Sequence, residues 1–460
     1  MKVKIDNIEQ FLDDKLSIIE KIDKYYILGR WLGDGIKNTK SNIIIARGNE
    51  KDELRAMGLI SKYLNVIYIH DNKGMITRFH KTKKLNLWFN EILNNINNNK
   101  FNDFNDIEMF LIIAGFLDSD GSVDYYSPNA VGKLSKNKIK LVFYNNNINI
   151  LTFIKLFLNK KGIVSNLCES YHGIANMNVE DNCWGLHINE CISNYYLGYK
   201  LIKHMLHIKK RNRIIKWLEI YNNYYLNKGL IFTEIFSSIE GEGRDSGVPK
   251  TFLRVKGCPH HCSYCDSKYS AGSNTSGCYK SPPLKNTIKK VIETGRLEKI
   301  EFTGGSPDWR PMMIGYLLAF FKTHFNSHIT MQVSGGIKTI KSYKLFISSD
   351  LNCFDYKDPR ENIPFVIEDK LIREQDEIKF LIKDDYSYNF VKNKIKELSK
   401  KLKCCFSITT VTNNSNNVIE QHLCDYQKLV CKILKDKEFP KNIIIYPRLQ
   451  ILVWGNKRGV

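Results

Sequence analysis

No apolar run in this 460-residue chain approaches the roughly eighteen residues that a membrane-spanning helix needs. The stretch MKVKIDNIEQFLDD is too acidic and too periodic for a secretory signal, so an intracellular protein without a membrane partner is the expectation. Twelve cysteines without such a signal argue for thiols and ligands rather than a disulfide framework. Nine of them are scattered without metal-ligand spacing (Cys168, Cys183, Cys191, Cys278, Cys353, Cys404, Cys405, Cys424 and Cys431). Acidic residues are also in short supply, 48 against 69 Lys and Arg, for a net charge of +21. That excess is spread as about +9 over residues 1–227 and about +12 over residues 228–460. The abundance of Lys, Asn, Ile, Tyr and Phe follows AT-rich codons, so charge alone singles out no nucleic-acid-binding half.

The length exceeds what one core usually supports, and two domains are the default. Residues 1–100 read as helix, a β-rich stretch (SNIIIARGN, NVIYIHD, MITRFH) and further helix. The Asn-rich segment 94–106 reads as a linker. The order then recurs: an apolar helix at 107–118, the strand KIKLVFYN, a helix at 148–162, more strand, and a basic helical end, LIKHMLHIKKRNRIIKWLEIY. This is a diverged internal duplication. The seam falls at NNYYLNKG, residues 222–229, giving expected domains of 1–227 and 228–460. Beyond it strands and helices alternate, the pattern of a mostly parallel α/β sheet or partial barrel.

One cysteine cluster is organised: GCPHHCSYCDS places Cys258, Cys262 and Cys265 at C-x3-C-x2-C. Zinc with His260 or His261 as fourth ligand is one reading, although tetrahedral zinc usually draws on two separated ligand pairs and no matching pair follows. A cubane iron-sulfur cluster with one iron left open to an exogenous chelator is the other. FTGGSP, residues 302–307, ends a strand with paired glycines that let a ligand approach the backbone.

With Tyr264 as the aromatic of C-x3-C-x-aromatic-C, the triplet resembles the signature of radical S-adenosylmethionine enzymes, and Gly304 and Gly305 resemble their Gly-Gly motif. More narrowly, residues 230–460 resemble the 7-carboxy-7-deazaguanine synthase family through EIFSSIEGEG, TFLRVKGC, CDS, TGG and LQILVWGNKRGV. The resemblance implies a partial TIM barrel holding a [4Fe-4S] cluster, S-adenosylmethionine and Mg2+, with ring contraction of 6-carboxy-5,6,7,8-tetrahydropterin. By resemblance Ile239, Glu240, Gly241, Arg254, Thr303 and Val460 meet the pterin, Tyr264, Cys265, Asp266, Gly304, Gly305 and Lys357 line the cofactor, and Ser267 offers an oxygen to magnesium. An electron donor such as flavodoxin and a homodimer through the C-terminal domain are implied as well. The sequence departs from the family at Glu240, where SIQGEG is usual and a charge is expected to repel or reorient a ring carbonyl. It also departs at Ser306, at Gln332 and Val333, and at DYKDP.

The N-terminal half contains YILGRWLGDGI (26–36) and LIIAGFLDSDGSV (111–123), apolar helical runs ending in Asp-Gly. Two core helices with glycine caps would read the same way. Asp34 and Asp120, however, sit at helix C-termini, where the macrodipole disfavours negative charge, and two such carboxylates together call for a cation. Gly29, Gly33, Ala114, Gly115 and Ser119 would let the helices meet at backbone distance. These runs resemble the two-motif LAGLIDADG homing endonucleases over about residues 20–215. That implies a duplicated α+β fold with a pseudo-two-fold axis, Asp34 and Asp120 as catalytic metal ligands, and double-stranded DNA read by curved sheets. Lys138, Lys140, Lys209 and Lys210 are its candidate assisting lysines.

Overall fold

The computed structural model describes residues 24–34, 42–48, 66–71, 74–80, 91–98, 104–126, 138–170, 183–271, 281–336, 340–411, 417–455 and 457. They divide into two compact units that meet between Tyr224 and Tyr225.

The first unit opens with α1 (Lys24–Asp34) and an antiparallel sheet of β1 (Asn42–Gly48), β2 (Val66–Asp71) and β3 (Gly74–His80) in the order β1-β3-β2. A helix over 91–97, α2, follows; it contains Asn94, and Ile96 is fully buried, so the Asn-rich segment is not all linker. Asn105 instead closes a capping box with Glu108 at the start of α3 (Asp106–Asp118). Every residue of α3 from Met109 to Asp118 is buried, which identifies a helix enclosed on all sides. Then come β4 (Gly121–Tyr126), β5 (Lys138–Asn145), α4 (Ile148–Lys160), β6 (Asn166–Ser170) and β7 (Cys183–Ile188), the strands forming an antiparallel sheet in the order β4-β5-β7-β6. The helix-then-antiparallel-sheet unit therefore occurs twice. The basic helical end, residues 201–221, begins at the last residue of α5 (Cys191–Leu201), breaks, and continues in α6 (Ile208–Leu226). It breaks because the backbone N–H groups of Leu206 and His207 donate to the buried Asp118 carboxylate at 2.6 and 3.1 Å.

α1 and α3 pack at backbone distance. A Cβ on Gly29 would lie 1.9 Å from the Ile112 carbonyl oxygen, and one on Gly115 would lie 2.1 Å from that of Tyr26. No side chain larger than hydrogen fits at either crossing point.

The second unit is an eight-stranded sheet: β8 (Phe232–Ile239), β9 (Pro249–Val255), β10 (Lys299–Gly304), β11 (His328–Val333), β12 (Leu351–Tyr356), β13 (Glu377–Ile382), β14 (Cys405–Thr410) and β15 (Ile444–Ile445). Its spatial order is its sequence order, with only β8 antiparallel to its neighbour. The helices are α7 (Lys268–Ala271), α8 (Leu284–Glu293), α9 (Pro311–Phe325), α10 (Ile340–Ser348), α11 (Asp385–Leu398), α12 (Val418–Lys435) and α13 (Leu449–Trp454). Right-handed crossovers that always step the same way put their helices on one face, and the other face becomes the lumen of an open barrel. The lumen is polar: Lys250, Glu301, Thr330, Glu377 and Lys379 are all buried on its strands. Among the described residues no helix is long and apolar enough to cross a membrane.

Candidate functional site

The C-terminal ends of barrel strands converge on a cavity of about 490 Å3. Beyond β9 the chain enters the cysteine loop, where Cys258, Cys262 and Cys265 are half-buried free thiols lining the cavity. Burial pushes the Cys262 thiol up to about 11 and raises Cys258 and Cys265 as well, so without a metal the three hold their protons. Among the described residues no three His, Cys, Asp or Glu side chains form a ready-made single-ion cage. In a cubane each thiolate takes its own iron, so three spaced thiols suit that group as a donor set.

The turn after β10 forms the facing wall. Gly304 has φ +103°, and a Cβ on Gly305 would lie 2.1 Å from the Gly257 carbonyl oxygen. The turn is fastened to the base of the cysteine loop by Gly305 N–H to Val255 O (2.8 Å) and Ser306 N–H to Gly257 O (2.9 Å). This cradle presents backbone to the cavity with no side chain between, which fits an amino-acid-like ligand beside the thiols. Ser306 turns away, donating to Asp308 at 2.5 Å. Gln332 accepts from Thr303 at 2.8 Å. In DYKDP, Asp355 pairs with Lys357 at 3.1 Å. Burial, the largest single influence, opposes the charge of Lys357, but the surrounding groups, Asp355 foremost, together outweigh it and raise the lysine above its usual range.

Beside the cradle, where a Cβ on Gly304 would lie 2.4 Å from its Cγ, Arg254 forms an ion pair with Glu234 (2.8 Å) and donates from Nη1 to Ser267 (3.2 Å), with its guanidinium over the Tyr269 ring. Ser267 in turn donates a hydrogen bond to Asp266 at 2.8 Å. Ile239, Glu240 and Gly241 form the rim at the end of β8, closed by Leu449 N–H donating to Gly241 O at 2.9 Å. Thus Ile239, Glu240, Gly241, Arg254, Thr303, Tyr264, Asp266, Ser267, Gly304, Gly305 and Lys357 face one cavity with the three cysteines. Val460 lies outside the described residues.

Residues 239–355 match the family described as a 4Fe-4S single cluster domain. The chain is 30% identical over 169 residues to the 7-carboxy-7-deazaguanine synthase of Thermoplasma acidophilum, covering 35% of this chain and 74% of that protein. It belongs to the 7-carboxy-7-deazaguanine synthase family. The synthase of Clostridium acetobutylicum is 24% identical over 233 residues, covering 49% of this chain and 97% of its own. A crystal structure of the homing endonuclease I-DmoI in complex with DNA and Ca aligns with 40% of this chain and 90% of that one, at 16% identity and a TM-score of 0.28.

Within this synthase-family chain, two ion networks of the cavity escaped sequence reasoning. Glu242 pairs with Arg448 (2.6 Å) and Lys379 (2.8 Å), which hold its carboxyl well below the usual range despite burial, and Arg448 also grips Asp266. The second joins Glu240, Lys250 and Glu301. Both assemble from strands far apart in sequence; only the high charge of apparently buried strands could have flagged them.

In the first unit the C-terminal ends of α1 and α3 meet: a Cβ on Gly33 would lie 2.0 Å from Ser119 Oγ and 3.2 Å from the Asp120 backbone nitrogen. Asp120 is half-buried there, close enough to Cys183 for its charge to add to burial in raising that thiol. The Asp34 side chain lies outside the described residues, as does that of Lys138. Lys210 Nζ donates to the carbonyls of Leu117, Asp118 and Ser119 at 2.9, 2.9 and 3.1 Å, capping the α3 terminus beside Asp120. Lys140 stands on β5 opposite Asp124, away from that cap in sequence, and Lys209 adjoins Lys210 on α6. Asp118, which no sequence motif marks as a site residue, turns inward to accept from Tyr26 at 2.7 Å and from the α5–α6 break.

Proposed function

We propose that the C-terminal unit converts 6-carboxy-5,6,7,8-tetrahydropterin to 7-carboxy-7-deazaguanine. The observation that carries this reading is the single cavity lined together by three thiols, a glycine cradle and a partly buried arginine. Cys258, Cys262 and Cys265 would hold a [4Fe-4S] cluster, and Gly304, Gly305, Tyr264, Asp266 and Lys357 would hold S-adenosylmethionine. Bound together, those groups supply the one-electron chemistry that starts hydrogen abstraction from the substrate. The chain's own work is to place and shield the pterin. Arg254, whose planar fork suits a carboxylate, orients it, while Ile239, Glu240, Gly241 and Thr303 bound the ring. Ser267 Oγ currently accepts from Arg254, so a magnesium ion there requires that bond to be given up. A substrate carboxylate drawing the guanidinium away supplies the means. Anaerobic reconstitution, followed by assays for 5′-deoxyadenosine and for the deazaguanine product, tests the reading. Iron uptake with neither product would leave an inert member of the family.

A second function is proposed for the N-terminal unit: metal-dependent cleavage of double-stranded DNA by a LAGLIDADG-type fold. Support comes from two helices packed through Gly29, Gly33 and Gly115, with Asp120 and the Lys210 cap at their joined ends. Two carboxylates at such ends require cations, which can activate water and stabilise a leaving oxygen. With the full chain, cutting of a cognate site in magnesium should vanish in Asp34→Asn and Asp120→Asn while DNA binding persists. Binding without cutting by the unaltered protein would favour a decayed nuclease or an RNA maturase.

A further inference from the structure

Lys250 is a buried lysine inside the barrel, its side chain 1% exposed. Its ammonium lies 3.0 Å from Glu240, 2.9 Å from Glu301 and 3.1 Å from Asp245, and 3.4 Å from the Thr330 hydroxyl. Three carboxylates thus converge on one cation. The other nearby cations are committed elsewhere: Lys379 pairs with Glu242 and Asp355, and Arg448 with Glu242 and Asp266. Lys299 and His328 act on Asp245, the most exposed of the three acids.

Asp245 keeps its charge by its exposure and its cations. Glu240 and Glu301 then share what remains of Lys250 in a site where an uncompensated carboxylate is expensive. Glu301 is the deeper, with side-chain exposure of 4% against 11% for Glu240, and it also feels Lys379. Burial first, then the charge of Glu301, drives Glu240 well above the ordinary carboxyl range, whereas Lys250 draws Glu301 below it despite burial. At Glu240, Oε1 accepts the Glu242 N–H at 3.2 Å, as a carbonyl would, and Oε2 accepts at 3.0 Å from the same Lys250 ammonium that meets Glu301 at 2.9 Å.

We propose that Glu240 borders the substrate as a neutral carboxylic acid beside an ionised Glu301, with Lys250 and Glu301 as positioning residues that keep it so. The inference rests on the substrate reading for its consequence but not for the acid itself. A neutral acid has one acceptor and one donor edge, like a primary amide, so the expected repulsive charge at this position is absent at neutral pH. Once Glu240 ionises, a new negative charge faces the anionic carboxypterin.

The test has two arms on the reconstituted full chain. Without substrate, infrared difference spectra between the unaltered protein and Glu240→Gln should show the C=O stretch of a protonated carboxyl at neutral pH. Glu301→Gln should remove that band, because Lys250 is then left to an ionised Glu240. In the second arm, Kd for carboxypterin should rise about tenfold per pH unit above the ionisation of Glu240, and Glu240→Gln should lose that slope. A carboxylate band in place of the carboxyl band, or an equal pH slope in Glu240→Gln, would overturn the proposal. A carboxyl band with no carboxypterin binding keeps the neutral acid and defeats the substrate reading instead.

Discussion

Arg254 is held before any substrate arrives, by Glu234, by Ser267 and by two aromatic rings, Phe236 and Tyr269. Preorganisation of this kind makes Lys a poor substitute, since one ammonium cannot reproduce the fork. Arg254→Lys and Arg254→Ala should both raise KM for carboxypterin by about 10- to 100-fold while leaving that for S-adenosylmethionine nearly unmoved. Equal effects on both would place the arginine elsewhere in the reaction. Asp308 offers a second measurement. Burial pushes its carboxyl up to about 6 against the hydrogen bond from Ser306. An unfolded Asp titrates near ~3.9, so between about pH 4 and 6 the folded chain binds the extra proton, and stability falls as pH rises through that window. Asp308→Asn should flatten this dependence in denaturant midpoints of the C-terminal unit. Among single residues, the thiols, Arg254 and the paired glycines were legible because each motif is local. Glu240 was legible as a position but not as a neutral acid, because its partners Lys250 and Glu301 come from two other strands.

Two elements depend on hydrogen-sized side chains. Gly115→Val and Gly29→Val drive a branched side chain into a backbone carbonyl across the α1–α3 contact, and several kcal/mol, about 3 or more, should be lost from the N-terminal unit. Hydrogen exchange along α3 would report it. In the other unit, Gly305→Ala pushes the cradle off the Gly257 carbonyl, and affinity for S-adenosylmethionine should drop at least about tenfold. The α3 helix, β5 and the parallel strands were readable from periodicity, since each buries a face fixed by its own sequence. The break at residues 202–207 was not, because its cause is Asp118, some 88 residues earlier. Nor was the buried Ile96, which sits within a run of asparagines that reads as polar loop.

At the scale of the molecule, the two compact units carry separate cores, and lesions in one should spare the other. Gly115→Val should therefore abolish DNA binding while iron uptake, about four per chain, stays within error of the unaltered protein. A matching loss of iron would show that the cores are coupled. The order of the C-terminal sheet has a temporal meaning as well. Because neighbouring strands are made one after another, the barrel can grow strand by strand behind the ribosome, and the cysteine loop and cradle exist early. The rim does not. Arg448 must reach back 206 residues to Glu242 and 182 to Asp266, and Leu449 to Gly241, so that wall of the cavity is stitched across long sequence separations. A folding chain with its early strands paired but Arg448 not yet docked would have the three cysteines and the glycine turn in place around an open cavity, so closure of that wall is a late event in folding.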